Sequence, residues 1–235
     1  ASSLDGINWV EEGYLIGGSV PEATYFDEKF ILIIGFCMYE SSDGINFESF
    51  EYSLIAENFT GSMGVDPTLM NDEGTLRLVL YAPNTDMNNP IDPSQIEGDH
   101  DFVEYRSSDG KTWKKFGTVL SLALGTDPDI VKYKDDVYLL TSQGQNSVVS
   151  IEDQNFSVLN DGKPAHALGG VPDSIVIGDE LYSYVTSGSN VKIVKTSDLK
   201  NWEEVGIALE GEAASVVELP DGSYRMYYVK RVRAN

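Results

Sequence analysis

The sequence has few of the residues that build most metal, redox and nucleotide sites. It contains one cysteine, Cys37, and two histidines, His100 and His166, in 235 residues. A single cysteine excludes an internal disulfide, and its position in an apolar run predicts that it packs as a small hydrophobic side chain. No C-x-x-C, H-E-x-x-H, P-loop or G-x-S-x-G motif occurs, and two histidines are too few for a histidine-rich metal centre.

Basic residues and long hydrophobic runs are also scarce. There are 16 Lys and Arg against 38 Asp and Glu, a formal net charge of −22. Such a charge repels nucleic acids and anionic membranes, so we expect neither as a partner. No apolar run approaches the roughly 20 residues that span a membrane. We expect a monomer, and an N-terminus at Ala1 fits a removed signal peptide and an extracellular or periplasmic location.

What the chain does contain is a repeated pattern, Ser/Thr-x-Asp-Gly-x-x-aromatic, called the box below. Three copies match closely, at 3–9, 41–47 and 107–113; a fourth at 196–202 has Leu for Gly, and a degenerate fifth at 150–156 has Glu152 in place of the Asp. Most intervals between copies lie in the 40s. Upstream of each hairpin stands a short segment that usually contains proline, followed by a polar turn and an apolar strand. A period in the 40s with four short strands is typical of a β-propeller blade.

The pattern therefore predicts an all-β fold, a five-bladed propeller with four antiparallel strands per blade. We expect one domain over 1–235. The last blade has no box of its own, so the N-terminal strand is predicted to complete it as the fourth strand. The predicted blades are 10–52, 53–117, 118–159, 160–205, and 206–235 together with 1–9.

The box itself is predicted to be structural. It falls at the turn between the third and fourth strands, where Gly44 and Gly110 can adopt positive φ and the Asp side chain can accept turn amides. Its aromatic residue would pack at the base of the fourth strand. Strand alternation puts these turns on the face opposite the beginnings of the first strands.

The beginnings of the first strands carry the candidate functional residues. Every blade brings at least one carboxylate to that end of the channel: Glu22, Asp66, Asp127, Asp129, Asp173 and Glu212. Gathered carboxylates repel, so some must be protonated, paired or bound to metal. One protonated and one ionised carboxyl group is what glycoside hydrolysis needs, whereas single acids can also simply hydrate a channel or cap a turn.

Three further features fall on the same face. Residues 83–101 form a long insertion without a strand pattern, which is often functional in a compact domain. His100 ends this insertion, and His166 lies in the loop before the fourth blade. Either histidine could tune an acid, bind sugar or be an inconsequential surface residue.

The segments "DPTLMNDEGTLRLVLY" (66–81) and "DPDIVKYKDDVYLL" (127–140) resemble the blade openings of glycoside hydrolase family 43. That resemblance implies a five-bladed propeller and hydrolysis with inversion by an Asp base, a pKa-tuning Asp and a Glu acid. Carried over in order, the base position is Val20, the tuning Asp is Asp127, and the acid position in "GGVPDS" (169–174) has no Glu. A rotated assignment makes Asp66 the base, Asp173 the tuning residue and Glu212 the acid.

Two functions follow from these observations. One is a glycosidase acting on a poly- or oligosaccharide through Asp66, Asp173 and Glu212, with no cofactor required and with carbohydrate bound near Glu22, Asp127, Asp129, His100 and His166. The other is a non-catalytic propeller whose acidic mouth binds a glycan, calcium or a protein. Calcium in the central channel is considered because clustered oxygen ligands suit a hard cation; the sequence does not indicate which residues would hold a metal.

Overall fold

The computed structural model describes residues 1–15, 17–35, 37–55, 65–82 and 99–231, with backbone only for residues 54 and 55. It is an all-β ring of five sheets whose consecutive blade strands are antiparallel, which confirms the predicted five-bladed propeller. Most of the predicted insertion, 83–98, lies outside the described residues. Within the described ranges, no helix is long and apolar enough to cross a membrane.

The chain begins with a two-residue strand, β1 (Ser2–Ser3), and then forms the blades in order. The first blade comprises β2 (Pro21–Phe26), β3 (Lys29–Ile34), β4 (Cys37–Ser41) and β5 (Glu48–Phe50). The second comprises β7 (Val65–Asp72), β8 (Thr75–Ala82), β9 (Asp99–Ser107) and β10 (Thr112–Ala123), with β6 (Ser53–Ile55) added parallel to β10 at its outer edge.

The remaining blades follow the same up-and-down order. The third comprises β11 (Thr126–Tyr133), β12 (Asp136–Gln143), β13 (Asn146–Asp153) and β14 (Asn155–Val158), followed by a short 3₁₀ helix (Asn160–Gly162). The fourth comprises β15 (Gly170–Ile177), β16 (Glu180–Ser187), β17 (Asn190–Thr196) and β18 (Glu203–Glu210). The fifth contains β19 (Glu212–Glu218) and β20 (Tyr224–Val229).

The first strand of each blade lies closest to the axis. These inner strands are β2, β7, β11, β15 and β19, and each contacts the inner strands of both neighbouring blades. The hydrophobic core is correspondingly divided into clusters between adjacent sheets. Trp113 of the box in the second blade, for example, is fully buried in a cluster that also contains Ile31 and Ile33 of the first blade. The end of the ring at which the inner strands begin is called the mouth below.

The N-terminal segment closes the ring, and it does so with two strand positions. Ser2 and Ser3 pair with Arg225 and Tyr224 of β20, so β1 is the third strand of the fifth blade. Val10 then pairs antiparallel with Ser2 and stands in the fourth position. The sequence prediction placed the N-terminal strand in the fourth position alone; the third is filled as well, because the residues before the box form a strand here as they do in the other blades.

The boxes form the turns that the sequence predicted. In the first blade, Asp43 Oδ1 accepts hydrogen bonds from the amides of Ile45 and Asn46, each 2.8 Å long, and Asp43 Oδ2 accepts one from the Asn46 side chain at 2.7 Å. Ser41 Oγ accepts the amide of Gly44 at 3.0 Å. The copies at Asp5, Asp109 and Asp198 repeat the amide bonds, so the repeated Asp organises a turn.

The degenerate box of the third blade uses its acid differently. Glu152 receives two hydrogen bonds from Arg77 of the second blade, at 3.0 and 2.7 Å. The same guanidinium donates to both carboxylate oxygens of Glu104, at 2.8 and 2.9 Å, and Glu104 is fully buried. The longer Glu side chain thus joins two blades instead of capping its own turn.

The expectation for Cys37 is wrong. Cys37 is exposed at the first residue of β4. The apolar run 30–39 is not one strand, because Gly35, with φ +59°, interrupts it between β3 and β4. The cysteine therefore lies beside a turn and not in the core.

Candidate functional site

The inner strands of four blades begin with a β-bulge. The bulged residues have positive φ: Asp66 (49°), Asp127 (45°), Val171 (50°) and Ala213 (48°). Positive φ is strained for a β-branched residue such as Val171, so the bulge belongs to the fold and does not depend on which side chain occupies it. In the first blade the corresponding Val20 precedes a strand that pairs without a bulge.

Only the second and third blades place a carboxylate at this bulge. Asp66 and Asp127, called the mouth pair below, are equivalent residues of adjacent inner strands and are half-buried. Burial, and then the charge of Asp127, raises the pKa of Asp66 to about 7. Burial also raises the pKa of Asp127, against a hydrogen bond from Thr126, whose Oγ1 lies 2.7 Å from Asp127 Oδ2. Ionisation of one carboxyl group therefore opposes ionisation of the other, and the two titrate as a coupled pair.

Two residues after each bulge position lies a second set of side chains, called the inner ring below. Its members are buried and have an oxygen on the side chain: Glu22, Thr68, Asp129, Asp173 and Ser215. In four cases the oxygen accepts the backbone amide of the next blade. Glu22 accepts from Leu69 (2.6 Å), Thr68 from Ile130 (3.0 Å), Asp173 from Val216 (2.7 Å) and Ser215 from Ala23 (2.9 Å).

Asp129 occupies the same place between the third and fourth blades. Burial raises the pKa of Asp129 to about 6, although hydrogen bonding to Ser174 of the fourth blade acts in the opposite direction. Its Oδ2 is buried without a hydrogen-bond partner among the described residues. Side-chain oxygens of the inner ring therefore link adjacent blades by hydrogen bonds at four of the five positions around the axis.

The three carboxyl groups of the inner ring oppose each other's ionisation. Burial raises the pKa of Glu22 well above its usual range, and the charge of Asp129 adds to the effect. Burial likewise raises the pKa of Asp173 far above its usual range, and the charges of Glu22 and Asp129 raise it further. Burial favours the neutral form of these carboxyl groups.

Tyr81 and His100 adjoin the mouth pair. Tyr81, in β8, is fully buried and pairs with Val65, the residue before Asp66. His100, in β9, is 1% exposed and its ring centroid lies 5.2 Å from that of Tyr81. Burial, and then the charges of Asp66 and Asp127, raises the pKa of Tyr81 to about 12. The predicted His100 thus packs against Tyr81, a residue next to the mouth pair that the sequence did not reveal.

Two predicted residues have surroundings that differ from those of the mouth pair. Glu212 precedes the bulged Ala213, and its Oε2 forms an ion pair of 2.9 Å with the largely exposed Arg231. His166 is buried against Trp202, with ring centroids 4.7 Å apart, and its Nδ1 accepts the amide of Leu168 at 3.3 Å. Burial lowers the pKa of His166 to about 4, which keeps the ring neutral.

The structure thus divides the predicted acids into separate groups. It brings Asp66 and Asp127 together at the mouth, and it places Glu22, Asp129 and Asp173 in the inner ring. Residues two apart on a regular strand face the same way, so the bulge between the two sets, which breaks this alternation, explains the division. Within the described residues, no group of three or more Asp, Glu, His or Cys side chains is arranged to hold a metal ion. The prediction of calcium in the channel is untested.

The fold is shared with known glycoside hydrolases. A family 43 protein, BlXynB from Bacillus licheniformis, superposes with a TM-score of 0.65 at 14% identity, over 89% of this chain and 48% of that chain. A family 117 enzyme from the marine bacterium Zobellia galactanivorans gives 0.67 at 14% identity, over 85% of this chain and 72% of that chain. An exo-1,5-alpha-L-arabinanase from a bovine ruminal metagenomic library gives 0.59 at 12% identity, over 91% and 90%.

These likenesses concern the fold. No protein-family model matches the sequence, and a comparison with curated proteins finds no match. This chain also spans about half the length of several of the matched structures, 48% in the case of BlXynB. Because one fold supports many activities, the function has to be derived from the residues of the site.

Proposed function

We propose that this propeller hydrolyses a glycosidic bond with inversion, and that Asp66 and Asp127 are its reacting pair. The observation that carries the proposal is the mouth pair itself: two half-buried carboxyl groups on adjacent inner strands, with the pKa of Asp66 raised to about 7 by burial and by Asp127. An inverting glycosidase needs one carboxylic acid to protonate the leaving oxygen and one carboxylate to activate water. Because ionisation of one member opposes ionisation of the other, the pair can supply one protonated and one ionised group.

The charge of Asp127 raises the pKa of Asp66 beyond the effect of burial, which favours Asp66 as the acid and Asp127 as the base. This reverses the role expected for Asp66 and replaces Asp173 and Glu212. Asp173 is engaged with the Val216 amide in the inner ring, and Glu212 with Arg231. The earlier assignment of Asp66, Asp173 and Glu212 stays an untested alternative, and the same experiment separates the two.

The experiment measures hydrolysis of a panel of aryl glycosides and polysaccharides. Xylosides and arabinosides come first, because structures sharing the fold include a xylan beta-1,4-xylosidase and an arabinanase. Asp66→Asn and Asp127→Asn should each reduce kcat/KM by about 10²–10⁴, and Asp173→Asn and Glu212→Gln by less than about tenfold. NMR of the first product should show the inverted anomer. Parent-like activity of the Asp66 and Asp127 variants would refute the proposal, whereas loss in the other two would support the earlier assignment.

A second candidate function is a non-catalytic propeller that binds a glycan or calcium at the same mouth. One observation favours it: Val20, Val171 and Ala213 occupy the other three positions equivalent to the mouth pair. Calorimetry with oligosaccharides and with calcium chloride, on a protein that hydrolyses nothing in the panel, would identify this function. Oligomeric state and cellular location also stay predictions.

A further inference from the structure

Two buried polar atoms beside the mouth pair have no partner among the described residues. They are Tyr81 Oη and His100 Nε2. The two residues are 0% and 1% exposed, so bulk solvent does not reach these atoms. Buried polar atoms without a protein partner are usually hydrogen-bonded to an ordered water.

The hydrogen bond at the other ring nitrogen fixes the role of His100 Nε2. His100 Nδ1 lies 2.7 Å from the carbonyl oxygen of Gly125. A carbonyl can only accept, so Nδ1 carries the hydrogen and, in the neutral ring, Nε2 is an acceptor. The bond also connects the ring to the segment that leads into Asp127, since Gly125 stands two residues before it.

Tyr81 supplies the complementary group. It is paired across the β7–β8 ladder with Val65, directly before the bulged Asp66. The charges of Asp66 and Asp127 raise the pKa of Tyr81, which agrees with this position beside the mouth pair. At neutral pH the phenol keeps its hydrogen, so it can donate where His100 Nε2 accepts.

We propose that Tyr81 and His100 are positioning residues that hold a buried water molecule between Tyr81 Oη and His100 Nε2, and that this water connects them to the mouth pair. The water accepts from Tyr81 and donates one hydrogen to His100 Nε2 and the other to the ionised carboxylate. It thereby stabilises the charged form of one member and helps decide which carboxyl group keeps the shared proton. The role of this water in a reaction rests on the proposed function, whereas its presence does not.

The first test is a high-resolution crystal structure of the unaltered protein. We expect one ordered water about 2.7–3.2 Å from both Tyr81 Oη and His100 Nε2. An empty gap, or a direct bond between the two side chains, would overturn the proposal.

The second test follows the ionisation of Asp66 and Asp127 by carbon-13 NMR of their carboxyl groups. Tyr81→Phe removes the donor, and His100→Asn keeps the bond to Gly125 while removing the acceptor. Either variant should displace the water, so the carboxylate loses a hydrogen bond. The lower titration midpoint of the pair should then rise by about half a pH unit. Unchanged midpoints in both variants would overturn the proposal, and if one variant fails to fold, the other decides.

Tyr184→Phe is the matched control. Tyr184 is also fully buried, but its hydroxyl donates to the Gly6 carbonyl oxygen at 2.7 Å. This variant should lose stability without moving the midpoints of the mouth pair. A water and a shifted midpoint in a protein that hydrolyses no glycoside would refute the proposed function alone, whereas an active enzyme with unshifted midpoints would refute only the role of Tyr81 and His100.

Discussion

The box aspartates and the carboxyl groups of the inner ring lie in opposite environments. Asp109 is exposed at a turn, and hydrogen bonds from the amides of Thr112 and Lys111 lower its pKa to about 2. Asp129 is buried at the axis, where loss of hydration raises its pKa to about 6. Glu22 and Asp173 of the inner ring accept amide hydrogen bonds as the box aspartates do. The difference in pKa therefore comes from hydration and from neighbouring charge.

This difference gives the two regions opposite effects of pH on stability. A carboxyl group with a lowered pKa in the folded protein stabilises it above its unfolded pKa, and that contribution is lost as the pH falls. A group with a raised pKa binds more protons in the folded state, so stability falls as the pH rises through the window, from about 4 to about 6 for Asp129. The boxes therefore favour folding at neutral pH, and the inner ring favours it in mild acid.

The largest expected effect on stability concerns Arg77, which pairs with Glu104 and with Glu152 of the third blade's box. Arg77→Met should lower the free energy of unfolding by about 3 kcal/mol, because the buried Glu104 loses both hydrogen bonds from Arg77 and keeps the one from Arg106, at 2.6 Å. Urea denaturation at pH 7 measures this. Glu152→Gln is the control: Glu152 is 26% exposed, so water replaces much of what the ion pair supplied and the loss should be far smaller. Equal losses would show that the link between blades, and not the buried charge, dominates.

The inner ring should give a smaller effect with a clear pH dependence. Asp173→Asn keeps an oxygen that can accept the Val216 amide but removes the charge, so it should weaken the fall in stability between pH 5 and pH 8. Relative to the parent, the variant should gain stability as the pH rises from 5 to 8, because burial and the charges of Glu22 and Asp129 oppose the ionisation of Asp173 and a neutral amide avoids it. Thermal unfolding across that pH range measures it.

Ser215→Ala serves as the comparison within the ring. It removes the acceptor of the Ala23 amide without touching a charge, so it should cost about 1–3 kcal/mol at every pH. If Asp173→Asn lost stability equally at pH 5 and pH 8, the carboxyl group would be an ordinary acceptor and the contrast with the boxes would fail.

The sequence predicted what repeats. The spacing of the boxes predicted the number of blades and the ring closure, because a box or a degenerate copy of it recurs once per blade. The role of the box Asp followed from turn chemistry, since it depends on residues within three positions of Asp43.

The mouth was harder to predict because its chemistry depends on contacts between blades. A bulge makes the side chains of Asp127 and Asp129 point in different directions, and no neighbouring residue pattern predicts that bulge. Tyr81 was missed because it stands in an apolar strand, "LRLVLYA", where an aromatic residue suits the core. Its unpartnered hydroxyl becomes visible only when β8 lies beside Asp66. The partner of Glu152 was unpredictable for the same reason, since Arg77 comes from another blade.

The smallest expected effect is that of a single box carboxylate. Asp109→Ala removes the acceptor of the Lys111 and Thr112 amides, at 2.8 and 2.7 Å, but water reaches these exposed groups and replaces part of the loss. The Tm at pH 7 should fall by less than in Ser215→Ala. At pH 2, where the parent carboxyl group is itself half protonated, the difference between variant and parent should shrink.

Asp109→Asn is the matched control, because its side-chain oxygen still accepts a turn amide without the charge. The Tm of Asp109→Asn at pH 7 should lie between the Tm values of the parent and of Asp109→Ala. A difference that stayed constant from pH 7 to pH 2 would mean that the charge of the box contributes nothing. Only the inner ring would then make stability depend on pH, because burial and the charges of Glu22 and Asp129 raise the pKa of Asp173 there.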